Sequence, residues 1–231
     1  MPAMIRRTFL VLSAAIAQVL SLGGHTVAQT APNASEIAAY RGLHAAAATG
    51  DLAALSRALQ EATDINARDI HGRTALHVAA HSSHREIIRA LAAAGADMKA
   101  KDNAQYDIIT IAAVRDDVET VKLAIALGSD PAAVTSPYHG TALIAAAHLG
   151  HAKVVRVLIA AKAPLNHVNN LGWTAVMEAV VLGDGGKRHQ DTLQALIDAG
   201  ANTGIPDPAG VTPLEHASRR GYAAMVTMLG K

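Results

Sequence analysis

The chain contains no cysteine, and its 231 residues include only one tryptophan, four tyrosines and one phenylalanine. Without cysteine there is no disulfide, no thiol nucleophile and no lipid-modified cysteine. With so few rings, the core has to be made of Ala, Leu, Val and Ile. Such small side chains suit closely packed helices, because Ala loses no rotamer entropy and lets backbones approach. An excess of either charge is also missing. The formal net charge is +1, which supplies no field for nucleic acid or an anionic membrane. The G-x-S-x-G elbow of serine hydrolases does not occur, and no carboxylate pair recurs, so the residues point away from an enzyme and imply no cofactor.

What is present begins at the N-terminus. Arg6 and Arg7 precede an uncharged stretch, Thr8 to Leu22, which Gly23 and Gly24 end. His25-Thr26-Val27-Ala28 then carries small residues at Thr26 and Ala28. This is the pattern of a secretory signal peptide cleaved after Ala28. The uncharged stretch is shorter than the ~20 residues that span a bilayer, so no membrane span is expected after cleavage. The string Arg6-Arg7-Thr8-Phe9-Leu10 is similar to a twin-arginine signal, but arginine pairs are common in ordinary leaders, so the general secretory route is favoured. The expected location is periplasmic or secreted. Loss of residues 1–28 removes two arginines and no acid, leaving a net charge of −1.

The rest of the chain repeats. In the segment starting at Asp69, DIHGRTALHVAAHSSHREIIRALAAAGADMKAK, a Thr-Ala-Leu-His string is followed by a second apolar stripe and a glycine. Related segments start near Asp102, Ser136, Asn169 and Asp207, and a degenerate one at Arg41. The slot held by Thr74 is held elsewhere by Arg41, Asp107, Thr141, Thr174 and Thr212, at steps of 33, 33, 34, 33 and 38 residues. Thr or Asp there can cap a short helix. Leu and Ala three and four residues on give that helix an apolar face, and Gly95 or Gly200 stops a second helix. One such pair cannot bury its apolar face alone, so copies must stack.

A 33-residue period with Leu43-His44, Thr74-Ala75-Leu76-His77-Val78-Ala79 and Thr212-Pro213-Leu214 resembles the ankyrin repeat, whose signature includes T-P-L-H-x-A. The resemblance implies an all-α solenoid of about six helix pairs with short β-hairpin fingers. Residues 29–40 form an N-terminal segment and the start of a cap. The repeat domain covers 41–231, divided near 41–68, 69–101, 102–134, 135–168, 169–205 and 206–231. Two copies depart from the pattern. Gln105 and Asp107 replace Gly and Thr in the third, which puts its tight turn in doubt, and Gly140 sits one place late in the fourth. The first and last copies look like terminal caps.

By the same resemblance the chain binds another protein, as a monomer, through fingers and a concave groove. Tyr106, Tyr138 and Trp173 precede the marker slot in three successive fingers, and exposed rigid aromatics make binding hot spots. Beside them lie His71, Arg73, His139 and Leu171. Val78, Ile111 and Glu178 would line the groove. The alternative is metal or haem handling through surface histidines, given His81-x-x-His84 and His148-x-x-His151. Those pairs fall two repeats apart, roughly 20 Å at the ~10 Å spacing of packed helices. Zinc wants three or four ligands, so no metal ligands are assigned.

The 38-residue step comes from Leu182–His189, LGDGGKRH. Counting from both sides aligns Gly183 with Gly150 and His189 with His151. Asp184 to Arg188 are then five extra residues whose removal would restore a regular repeat. Lys187 and Arg188 could form a second, basic contact.

Overall fold

From the second repeat on, each first helix starts where a hydroxyl or carboxyl meets an apolar face, whereas Arg41 starts the first one without a side-chain cap. Asp107 accepts the Thr110 N–H at 2.8 Å, and Thr141, Thr174 and Thr212 accept the N–H groups of Ile144, Met177 and Glu215 at 3.2–3.3 Å. The computed structural model describes residues 31–61 and 64–230, so the expected signal peptide lies outside the described residues. A short helix α1 (Ala34–Ala39) comes first. Six helix pairs follow: α2 (Gly42–Thr49) with α3 (Leu52–Gln60), α4 (Ala75–His81) with α5 (Arg85–Ala93), α6 (Ile108–Val114) with α7 (Val118–Ala126), α8 (Ala142–His148) with α9 (Ala152–Ala160), α10 (Ala175–Val181) with α11 (Lys187–Asp198), and α12 (Pro213–Arg219) with α13 (Ala223–Leu229). First helices stack on first helices and second on second, so the six pairs form one ankyrin-type solenoid.

The core is the expected small-residue one. Ala46, Ala79, Ala112, Ala146, Ala179 and Ala217 hold one slot in the six first helices and are fully buried. They let neighbouring layers close, while Leu55, Ile88, Leu91, Val121, Val154, Leu158, Leu193 and Leu196 fill the space beneath. Truncating a leucine such as Leu91 to Ala would cost about 2–5 kcal/mol.

The fingers are tight turns, and one of them forms strands among the described residues. There β1 (Val134–Thr135) pairs antiparallel with β2 (Gly140–Thr141), with Val134 opposite Thr141. The two copies with departures keep the turn. Gln105 and His139 take φ +65° and +51° in the slot where Gly72, Gly172 and Gly210 take +73° to +79°. His139, and not Gly140, therefore fills the left-handed position of its finger.

Candidate functional site

Five side chains build the fingers in the same way. Asp69, Asp102, Ser136, Asn169 and Asp207 each accept the N–H groups two and four residues on, at 2.9–3.3 Å. The first four turns are then tied to one another. Asn103 N–H donates to the His71 carbonyl, Ser136 N–H to Gln105 and Asn170 N–H to Tyr138, at 2.9–3.0 Å. A row of turns joined by backbone hydrogen bonds is a stiff support for whatever its tips carry.

The structure separates the three finger aromatics. Tyr138 stands two residues after its cap residue, at the tip, and is 41% exposed. Tyr106 and Trp173 stand four residues after theirs, at the base. Tyr106 is 7% exposed and packs in the core, so it offers no surface, and Trp173 is half-buried. Leu171, at the tip of the next finger, is 42% exposed, and His139 is exposed beside Tyr138. Sequence reading missed Ile70, the tip of the first finger and 84% exposed. Its position directly after the cap residue Asp69 was the available signal.

Arg73 corrects the expectation of a partner-facing cation. It is 1% exposed, its Nε donates to Asp69 at 2.7 Å, and its guanidinium lies 3.0 Å from Glu36. Tyr40 donates its hydroxyl to Asp69 at 2.7 Å, and His71 Nε2 meets Glu36 at 2.6 Å. The helix α1 buries no residue of its own, so this polar network is what holds it to the first finger. Burial pushes the carboxyls of Glu36 and Asp69 up, but hydrogen bonds and the Arg73 charge outweigh it and hold both below the usual carboxylate range. Arg73 is held above its usual value: burial lowers it, and the two carboxylates more than compensate.

The groove residues are likewise mostly closed over. Val78 and Ile111 are fully buried between stacked first helices, so they fill core space and line no surface. Glu178 in the same slot is 4% exposed. Its Oε1 accepts from Asn169 Nδ2 at 2.9 Å. His148, half in solvent, places Nδ1 3.2 Å from Oε2, which has no hydrogen-bond partner. Here a buried acid faces an amide in place of the finger's usual Asp, which avoids two carboxylates in contact. His216, one repeat on, bonds Asp207 at 2.8 Å across the same nine-residue interval.

Four histidines bind carbonyls of neighbouring repeats. His44 and His77 reach forward to the Arg73 and Tyr106 carbonyls at 2.9 and 3.1 Å. His84 and His151 reach back with Nδ1 to Ala47 and Ala113 at 2.9 and 2.8 Å. His77 also receives the Thr74 N–H on Nδ1 at 3.1 Å, so Nε2 carries the proton. Burial lowers His77 and His81 to about 4 each. In the two His-x-x-His pairs, His84 and His151 are engaged by carbonyls, and among the described residues no group of three His, Cys, Asp or Glu could hold an ion.

The extra residues of the fifth repeat are not one inserted block. Gly50 and Gly150 adopt left-handed φ and lie against the rings of His84 and His189. The glycine that does this here is Gly185 (φ +71°), packed on the Tyr222 ring, and Gly183 is not left-handed. Tyr222 also donates its hydroxyl to the Gly183 carbonyl at 3.1 Å. Lys187 and Arg188 form the first turn of the twelve-residue α11. Lys187 pairs with Asp191, and Arg188 donates to the Leu149 carbonyl at 3.0 Å. Deleting 184–188 would thus remove a packed turn and a helix start.

Comparison with known proteins agrees with this architecture. The family model described as ankyrin repeats (3 copies) matches residues 14–102 and 109–207. A crystal structure of an ankyrin repeat domain from Acinetobacter baumannii AYE is 43% identical, with a TM-score of 0.76 over 81% of this chain and 95% of that one. The ankyrin repeat domain of Bcl-3 shares the fold at 24% identity and TM-score 0.74, covering 82% of this chain and 85% of its own. A protein named ankyrin repeat protein YahD, from Escherichia coli (strain K12), is 38% identical over 93 residues, which is 40% of this chain. The match spans 46% of YahD, about half its length.

Proposed function

The chain belongs to the ankyrin-repeat family, and on that premise we propose that it is a non-catalytic scaffold binding another protein in the periplasm. Ankyrin repeats are generally protein-interaction modules. The finer reading is that contact is made by the third and fourth fingers and the groove beside them. The observation that carries it is Tyr138 and Leu171, both about two-fifths exposed on adjacent tips that the Asn170 to Tyr138 backbone bond locks together. A large apolar side chain held rigid in solvent has little entropy left to lose on binding. No catalytic role is assigned to Glu178, which is buried and whose basic neighbour, His148, stands 3.2 Å away without a hydrogen bond to it.

Export is part of the proposal and rests on the Arg6-Arg7 leader and the small residues at Thr26 and Ala28. Among the described residues no helix is long and apolar enough to cross a membrane. The test is an exported, affinity-tagged chain. A Tyr138→Ala/Leu171→Ala variant should lose the captured protein while keeping its circular dichroism. Capture unchanged by both substitutions would overturn the finger reading. Cell fractionation with mass measurement checks export: the mature form should begin after Ala28.

A further inference from the structure

Glu178 is an acid in a slot where Ala45, Val78, Ile111 and Ala145 hold apolar side chains. Burying a carboxylate is costly unless both oxygens are satisfied. Oε1 is satisfied by Asn169. Oε2 is buried and makes no hydrogen bond, because the His148 imidazole at 3.2 Å approaches it outside hydrogen-bond geometry. The His148 side chain is 46% exposed against 5% for Glu178, so the imidazole sits on the solvent side of the acid. Four elements meet here. Asn169 brings the base of the fourth finger to α10, His148 brings the end of α8, and the Asn170 N–H to Tyr138 carbonyl bond brings the third finger. At the tips of these two fingers the large apolar residues in solvent are Tyr138 and Leu171.

We propose that Glu178 is the seat for an arginine of the partner, with the His148 ring turning out to admit it. The partner segment would carry that arginine between apolar side chains that meet Tyr138 and Leu171. A guanidinium suits the position because its planar fork can replace the planar imidazole and donate to Oε2 directly. Asn169 stays in place and keeps Oε1 oriented. The inference deepens the reading of the third and fourth fingers as the contact region and rests on it.

The test titrates the isotope-labelled chain, residues 29–231, with acetyl-Leu-Arg-Leu-amide and with its neutral isostere acetyl-Leu-citrulline-Leu-amide, read by NMR. The arginine peptide should shift the His148 ring and the Trp173 indole signals saturably, and the citrulline peptide should bind at least ten-fold more weakly. Glu178→Gln should abolish that difference. His148→Ala, which opens the seat and leaves the acid in place, should tighten the arginine peptide several-fold and leave the citrulline peptide unchanged. This second variant also covers the case in which Glu178→Gln folds poorly. Equal binding of the two peptides, or no saturable shift at His148 with the arginine peptide, would overturn the seat. If both peptides bind equally at Tyr138 and Leu171, the finger reading survives and the seat alone falls. If the arginine peptide binds as expected but the captured protein ignores Tyr138→Ala/Leu171→Ala, the finger reading falls instead.

Discussion

The two ends of the groove use the same slots for opposite purposes. At the second repeat the slots hold Arg73, Val78 and His81, and all three are buried. At the fourth and fifth they hold Trp173, Glu178 and His148, and His148 stands half in solvent. The finger turns are alike at both ends, so the turn does not decide which end is open. What decides is the neighbour. Helix α1 places Glu36 and Tyr40 against the first finger and draws Arg73 and Asp69 inward. The corresponding Asn169 has no such helix beside it and turns to Glu178. A repeat scaffold can thus close one end and leave the other open without changing its backbone.

The largest expected effect breaks the closed end. Arg73→Ala leaves Asp69 and Glu36 without their shared cation, and loss of one partner from a buried pair costs about 3 kcal/mol or more. Thermal unfolding should show it, and partner capture at permissive temperature should persist. Acid should act there too. Burial lowers His77 and His81 to about 4 from 6.5, so folding excludes protons that the unfolded chain takes up. Stability is full above about pH 6.5 and falls as the pH drops towards 4, at up to about 1.4 kcal/mol per pH unit for each proton. His77→Asn/His81→Asn should be less stable at pH 7 but show a flatter profile across that window.

Gly185→Ala probes the far end. Its Cβ would lie 2.4 Å from the Tyr222 ring at φ +71°. The expected loss is about 2 kcal/mol, conformational and steric together. Gly221→Ala has the same φ but open space around it, so it should lose only about 1 kcal/mol. Equal losses would show that the ring contact contributes nothing. Leu171→Ala on the open end should change stability by no more than about 0.5 kcal/mol. One substitution should be a gain. Lys162 holds φ +67° where Gly95, Gly128 and Gly200 stand in other repeats. Lys162→Gly should add less than about 1 kcal/mol, visible as a small rise in Tm.

The architecture was legible because a period fixes slots. Thr74, Thr141, Thr174 and Thr212 cap helices where the spacing put them, and the alanine slot is buried in all six layers. The outward or inward choice at each slot was not legible, because it depends on residues a full repeat away. Arg73 turns inward for Glu36, 37 positions earlier. Tyr106 and Tyr138 both precede a helix start, but by one residue before Asp107 and by three before Thr141. Counted from the finger's cap residue they differ by two positions, which separates base from tip. The shift of the left-handed glycine from 183 to 185 was hidden because only Tyr222, one repeat later, shows which glycine needs the room.

The most direct measurement places a photo-crosslinking amino acid at positions 70, 138 and 171 of the exported chain, one at a time. All three tips are exposed, but only 138 and 171 stand on the third and fourth fingers, the latter of which brings Asn169 to Glu178. Adducts with one partner are expected from 138 and 171 and none from 70. Equal adducts from 70, or adducts from 70 alone, would overturn the reading of the third and fourth fingers as the contact region.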